Sequence, residues 1–598
     1  MTLSGECKVS EAAGAPPNKI SKINLITCGL LALLCILPFL IPHHRIPLTT
    51  FYNQWSAIAL GVLAMIFLLR KQSWEELQIP WFALMPLGLL VIVAIQYKLG
   101  LFNYWQQSFL VCLYLLWASL LITLGAQLKH LLTLEKLIPT LAWALVVGGL
   151  ISAVIVTLQY LGWDDSPLIL RYKSGGFAAN LGQVNHLATY MALALGSLLY
   201  LYLSQRINFW ALAITAIVFL MVLALTGQRM SWLYVILLSV GGWLIARKST
   251  QWQIHFISSR LLWLIPVFIL VQLVLPLFSA DMPAMPAERV AENVKGESIR
   301  LLLIQQAWEM FIHHPLWGIG WGQFGWHNFE MTESYPGLNG YADHAHNMLL
   351  HLLAETGIFG GLILLSGIIF WFWQQRGVVI SAERWWLYAI LAVFAVHSLL
   401  EYPLWYAYFL GLAAIVTGIS SERNITLKLN LGIVVSAALL LFSLFMLSNT
   451  FMQYSKVENW YTKGRMGLFN NDQAVPLLYE MAETRDKSLF APYLDLVIIR
   501  ALPDTQEVLP DKLAMNTQLM KYLPGEEEVY NQVTLLALSD QPEAASHQLD
   551  LAMRHYPKYM DKYWKVATRG LLVGGHKQLF PLIQQLQNYQ DTAYPLEP

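Results

Sequence analysis

Long apolar runs separated by short polar connections fill the chain as far as Leu447. Windows 23–42, 55–69, 80–97, 108–126, 137–161, 185–203, 209–226, 231–246, 261–278, 347–373, 385–400, 407–419 and 429–448 each approach the ~20 residues that cross a ~30 Å hydrocarbon core. The pattern therefore predicts an all-α, polytopic membrane protein with about 13 transmembrane helices. Two polar stretches interrupt it. Segment 279–345 begins with ADMPAMPAERVAENVKG, where proline and polar residues break every period. It continues with ESIRLLLIQQAWEMFIHHP, which predicts an amphipathic helix along the membrane surface. From 449 to 598 the chain turns rich in Glu, Gln, Asp and Lys. Runs such as EAASHQLDLAMRHYP there predict a helical domain of paired antiparallel helices resembling tetratricopeptide units.

Composition agrees with a membrane protein: 57% of the 598 residues are hydrophobic and 12% charged, against about 25% charged in soluble domains. The formal net charge is zero, so no basic surface argues for nucleic acid. The four cysteines lack metal spacing and predict no disulfide framework. No small-residue cleavage site follows the first apolar run, which predicts a retained helix behind a tail of residues 1–22.

Charge orients the spans. Arg70, Lys71, Lys129, Lys136, Arg206, Arg247, Lys248, Arg260, Arg376, Arg384, Arg423 and Lys428 fall on the side of the N-terminal tail. The short loops opposite hold Arg45, Lys98, Arg171, Lys173 and Arg229. The richer side is cytoplasmic by the positive-inside rule. An odd number of spans then puts the 449–598 domain outside, beyond a transmembrane domain of residues 23–448 that includes the outer loop 279–345.

On this topology the unusual polar residues share the outer face. Gln183, Asn185 and His186 open the sixth window, Arg229 sits in the turn TGQRMSW, and Arg300 starts the surface helix. Asp343, His344 and His346 open the tenth window, and Glu401 and Tyr402 lie in LLEYPLWY. Ionisable groups beside hydrocarbon are costly and mark function by default. Each also has a plainer explanation: a lone arginine snorkels to water, Tyr402, Trp405 and Tyr406 form an aromatic belt, and Gln183 and Asn185 cap or bridge helices.

His346 is expected to begin a helix with Leu350, Leu353 and Gly357 on its face. Glu355 would then lie ~13 Å deeper, at ~1.5 Å per residue, out of reach of His346. It is expected to lock helices by pairing with a donor on another span, and His351 to be a packed or bridging histidine. His346 and His351 are five apart, not the four of a helical zinc pair, so no metal site is expected. GIGWG has no preceding strand and no following GK[ST], and predicts a tight turn.

HNMLLHLLAETG, Arg229 in its outer turn and RLLLIQQAWEMFIHHPLWGIGWGQF together resemble the bacterial O-antigen ligase and polymerase superfamily. GQVNHLATY, HSLLEYPLWY and the soluble C-terminal region are similar to its pilin-type O-oligosaccharyltransferases, the PglL and PglS group. The resemblance implies a GT-C-like glycosyltransferase, without a cofactor, in the bacterial inner membrane with its active site facing the periplasm. It would move a glycan from undecaprenyl diphosphate to a Ser/Thr hydroxyl of a protein such as a type IV pilin. By the same resemblance His346 matches the essential histidine, Arg229 and Arg300 the diphosphate-binding arginines, and Gln183 and Tyr402 positions tied to activity. Asn185, Glu401 and Asp343 would support them.

The expected chemistry follows from the substrate. Arginine stays charged and grips phosphate oxygens with a planar fork as the leaving group gains charge, while a histidine can take the acceptor proton. An alternative keeps this chemistry with lipid A core or another glycan as acceptor, as in an O-antigen ligase or polymerase. A lipid-linked glycan transporter would instead want polar groups through both leaflets and repeated halves, and the sequence has neither.

Overall fold

The computed structural model of the chain describes residues 22–172, 175–278, 284–288, 299–465 and 471–593. The expected N-terminal tail apart from Lys22, Lys173, and most of the proline-broken part of segment 279–345 lie outside these residues. Every one of the apolar windows is helical. In chain order the helices are α1 (Lys22–Leu40), α2 (Phe51–Leu69), α3 (Trp81–Lys98), α4 (Trp105–Leu132), α5 (Leu134–Tyr160) and α6 (Val184–Leu203). There follow α7 (Phe209–Leu225), α8 (Met230–Ala246), α9 (Ile254–Phe278), α10 (Ile299–His313), α11 (Phe324–Glu330) and α12 (Met348–Gln374). Then come α13 (Ala382–Leu400), α14 (Ala407–Ser420) and α15 (Gly432–Arg465).

The protein is an all-α, multi-pass membrane protein. Among the described residues nine helices are long and apolar enough to cross a bilayer, and α7, α8 and α14 are shorter apolar helices. The remaining window, α13, carries Glu383 and Arg384 in its first turn. The described strands are two short ones, β1 (Leu77–Pro80) and β2 (Asn424–Leu427), paired antiparallel with Leu77 opposite Leu427.

Helix α6 is the axis of the bundle: every residue from His186 to Leu203 is buried. Helices α4 and α14 cross closely because glycines meet backbone there. A methyl group on Gly125 would strike the Ile415 carbonyl, and one on Gly418 the Ile122 carbonyl. Close approach through small residues replaces the missing hydrophobic drive between helices in lipid. At one end Glu422 accepts from both Lys129 and Arg384, each at 2.6 Å, tying the end of α4 to the start of α13. Arg206, Arg260 and Ser249 contact Glu135, Tyr202 and Ile380 at that same end.

The tenth window is not one continuous helix. At Gly357 the backbone turns to φ +65°, ψ −165° and α12 breaks. The loop after α10 caps the break: Ile319 N–H donates to the Ala354 carbonyl at 3.0 Å and Gly320 N–H to the Glu355 carbonyl at 3.1 Å. Gln96 of α3 adds a bond from Nε2 to the Glu355 carbonyl at 2.7 Å. Irregular backbone at this depth is tolerated because its freed carbonyls find protein donors. The GIGWG turn supplies those donors, with Gly318, Gly320 and Gly322 all at positive φ.

Helix α15 runs without interruption past the expected boundary at 448/449, and seven helices follow it among the described residues, from Asn471–Arg485 to Phe580–Ala593. They pack onto the site end of the bundle. Asp495, fully buried, accepts from Tyr104 Oη at 2.7 Å and from Nε and Nη2 of Arg485. Gln518 donates to the Asn103 carbonyl at 2.7 Å.

Candidate active site

Five segments deliver polar groups to one end of the bundle. Asn347 caps α12 by accepting from Leu350 N–H, so His346 lies before the helix and not on it. The expected helical face of His346 is therefore absent, and its backbone sits at φ +51°. That left-handed conformation is uncommon outside glycine. Helix α13 ends at Leu400, leaving Glu401 as an extended C-cap whose N–H still bonds the His397 carbonyl at 2.8 Å.

Glu401 is the centre of the constellation. Its Oε2 lies 2.7 Å from His346 Nδ1. Its Oε1 accepts from Arg300 Nη2 at 2.6 Å and from Asn185 Nδ2 at 3.0 Å. The Glu401 side chain is 5% exposed, that of His346 29% and that of Arg300 40%, so the carboxylate is sealed while its two partners reach solvent. Burial pushes the Glu401 carboxyl up. The hydrogen bond and charge of His346, then Arg300 and His397, outweigh it and hold the group below its ordinary value.

Behind Glu401 lies a buried polar chain. His397 Nδ1 is 2.8 Å from Thr189 Oγ1, which is itself 2.8 Å from Tyr234 Oη. Tyr234 belongs to α8, the helix that Arg229 opens after a left-handed turn at Gly227. Arg229 thus heads a helix packed into this cluster. Gln183 caps α6 two positions before Asn185, and its Oε1 is buried without a hydrogen-bond partner among the described residues.

Aromatic rings wall the other side. Tyr402 stacks on His344 at 3.7 Å and 9° and meets His346 edge-on at 5.7 Å. Asp343 Oδ1 lies 2.8 Å from His344 Nδ1. Burial raises the Asp343 carboxyl, but the charge and hydrogen bonding of His344 bring it below its ordinary value. Burial and the nearby Asp343 push the Tyr402 phenol up, keeping it protonated.

Glu355 departs from its expected pairing. Among the described residues its carboxylate takes no donor from another span: Oε1 accepts from the Phe324 backbone N–H of α11 at 3.3 Å, and Oε2 lies 3.4 Å from His351 on its own helix. The residues that follow the loop capping the α12 break bring the Phe324 amide to this carboxylate, and that backbone donor stands where a side chain from another span was expected. His351 is buried against His344, Trp405 and Phe324.

Sequence reasoning grouped Glu401 with the supporting residues and missed that one carboxylate joins His346, Arg300 and Asn185. The available signal was a lone acid in an outer turn facing several donors. Thr189 and His397 were missed as well, though Thr189 lies four residues after Asn185 on α6 and His397 four residues before Glu401, the cap of α13.

Fold and site define a class: a multi-pass helical membrane protein in which one end of the bundle gathers an arginine, an imidazole and a carboxylate. Two family models match, "O-Antigen ligase" over residues 214–365 and "Virulence factor membrane-bound polymerase, C-terminal" over residues 385–569. A "General O-oligosaccharyltransferase" of Acinetobacter baylyi is 28% identical over 395 residues, 64% of this chain and 67% of that protein. A "ComP-specific O-oligosaccharyltransferase" of the same organism is 25% identical over 392 residues, 65% of this chain and 69% of that protein. The chain is thus similar to O-antigen ligases over one region and to O-oligosaccharyltransferases over about two thirds of its length. Arg229, Arg300 and His346 fall within the first matched region, Glu401 and Tyr402 within the second.

Proposed function

We propose that this glycosyltransferase moves an oligosaccharide from undecaprenyl diphosphate to a Ser/Thr hydroxyl of a pilin-like protein at the periplasmic face of the inner membrane. The observation that carries the reading is the contact of His346 and Arg300 with the two oxygens of Glu401. With Nδ1–H donated to Glu401, the imidazole keeps Nε2 as a proton acceptor. The acceptor hydroxyl attacks the anomeric carbon as Nε2 takes its proton. The bond from that carbon to the diphosphate breaks, and its electron pair leaves with the diphosphate. A positioned base contributes ~10² to 10⁴-fold. Arg300, and Arg229 from the head of α8, hold the charge that grows on the leaving oxygens. Glu401 stabilises the imidazolium and orients it. The helices after α15, packed beside the site, suit docking of a protein acceptor; residues 449–598 would form that outer domain.

The test is co-expression with a lipid-linked glycan pathway and candidate pilins, read by intact-mass spectrometry. A glycan-sized increment on a pilin, lost in His346→Ala at unchanged membrane abundance, is the expected result. An increment on lipid A core instead would select the ligase alternative, and full activity in His346→Ala would remove the histidine from the mechanism.

A further inference from the structure

At the end of the bundle opposite Glu401, the end of α8, the residue after it and the start of α9 line a cavity of about 360 Å³, formed by Trp243, Arg247, His255, Phe256, Ser259 and Arg260. The length of α8 separates it from Arg229, about 25 Å at ~1.5 Å per residue. The cavity therefore has no part in the glycosyl transfer site.

Its cations are held in place. Arg260 hydrogen-bonds Tyr202 Oη and lies over the rings of Tyr202 and Phe209, at 5.9 and 5.3 Å. Arg247 lies over Trp243 at 5.1 Å. The Arg247 carbonyl is 3.3 Å from His255 Nδ1, which fixes the donor on that nitrogen. Simple retention of positive charge on the inner side would leave such groups snorkelling or matched, as Lys129 and Arg384 are matched by Glu422. Among the described residues Arg247 and Arg260 have no carboxylate partner. Their rings orient both guanidinium groups without neutralising either, which is a preorganised anion site.

The surroundings specify the anion further. Leu244 at the end of α8 and Phe256 and Trp263 at the start of α9 are 51%, 73% and 68% exposed, and in a bilayer such apolar surface beside the helix ends meets the membrane interface. We propose that this cavity binds a phosphate group, presented by an anionic phospholipid at the membrane surface. Basic pockets at the cytoplasmic ends of spans take such headgroups.

The experiment uses the full-length protein in detergent, examined by native mass spectrometry with phosphatidylglycerol, phosphatidylcholine or inorganic phosphate added separately. Phosphatidylglycerol adducts should dominate, and Arg247→Gln with Arg260→Gln should weaken them on the order of tenfold or more. Arg247→Lys with Arg260→Lys, which keeps the charge, should restore part of the binding. Arg171→Gln, in an exposed pair with Asp165, should change nothing. Thermal unfolding of each variant checks that the fold is intact. Binding of inorganic phosphate alone, abolished by the glutamine pair, supports the anion site and assigns it to the free ion. Equal retention of phosphatidylglycerol and phosphatidylcholine, or an undiminished adduct in the glutamine pair, overturns the proposal.

Discussion

His346 Nδ1 lies 2.7 Å from Glu401 Oε2, although the two residues stand 55 positions apart in the chain. One comes from the loop that precedes α12, the other from the end of α13. Their contact converts an imidazole of either tautomer into one whose proton is committed to Nδ1. The carboxylate that orients it is 5% exposed, so the pairing is already in place without a ligand.

Glu401→Gln tests that commitment. The amide can still accept from Arg300, but its NH₂ would face His346 Nδ1 and favour the tautomer with the proton on Nε2. Transfer should fall on the order of 10² to 10⁴-fold while abundance stays near wild type. In vitro turnover with purified lipid-linked glycan measures it. An unimpaired Gln variant would mean the imidazole is oriented by something else.

Arg300→Lys separates charge from geometry. Lysine can keep the ion pair with Glu401, but it offers a point charge where arginine offers a fork. The fold should hold, whereas kcat should drop by about 10² to 10³-fold if the fork grips the leaving oxygens, as removal of a donor from developing charge does. A loss confined to KM would place Arg300 in ground-state binding only.

Acid should unmake the centre in a defined order. The Glu401 carboxyl is held below its ordinary value of 4.5, so its contribution to stability is complete above that pH. It is lost as pH falls through the depressed folded value. The gap in thermal stability between wild type and Glu401→Gln should therefore be constant at neutral pH and close only below about pH 4.5. A gap that closes already near neutral pH would show that the Glu401 carboxylate does not control it.

How much of this was legible in the sequence depends on what each feature rests on. The spans were, because apolar length against bilayer thickness is a local property, and α1 to α15 cover the windows that hydropathy marks. That Asn185, Arg300, His346 and Glu401 share one end of the bundle was also legible, since counting spans fixes which end each loop occupies. Distances across that face were not. The meeting of Glu401 with His346 depends on where α13 ends and on a left-handed residue before α12, and neither leaves a periodic trace. Glu355 misled for the same reason. Its i,i+4 relation to His351 could be read, but the Phe324 amide that meets it arrives through a loop whose path only the packed fold determines.

The break in α12 makes the last prediction, Gly357→Ala. Gly357 adopts φ +65°, ψ −165°, a region open almost solely to glycine. A methyl group there would strike the Leu316 carbonyl, which is backbone and cannot swing aside. The following residue, Ile358, donates its N–H to the Pro315 carbonyl at 2.8 Å, so relief by rotating the chain would cost that bond too. Strain of ~1–3 kcal/mol adds to the steric overlap, and both fall on the loop that carries the Ile319 and Gly320 donors. The variant should show a lowered thermal midpoint in detergent, together with reduced transfer, because that loop and the first half of α12 sit beside His346. Retention of the wild-type midpoint and activity would show that the helix can close over this position, and that the break is not needed to place the imidazole.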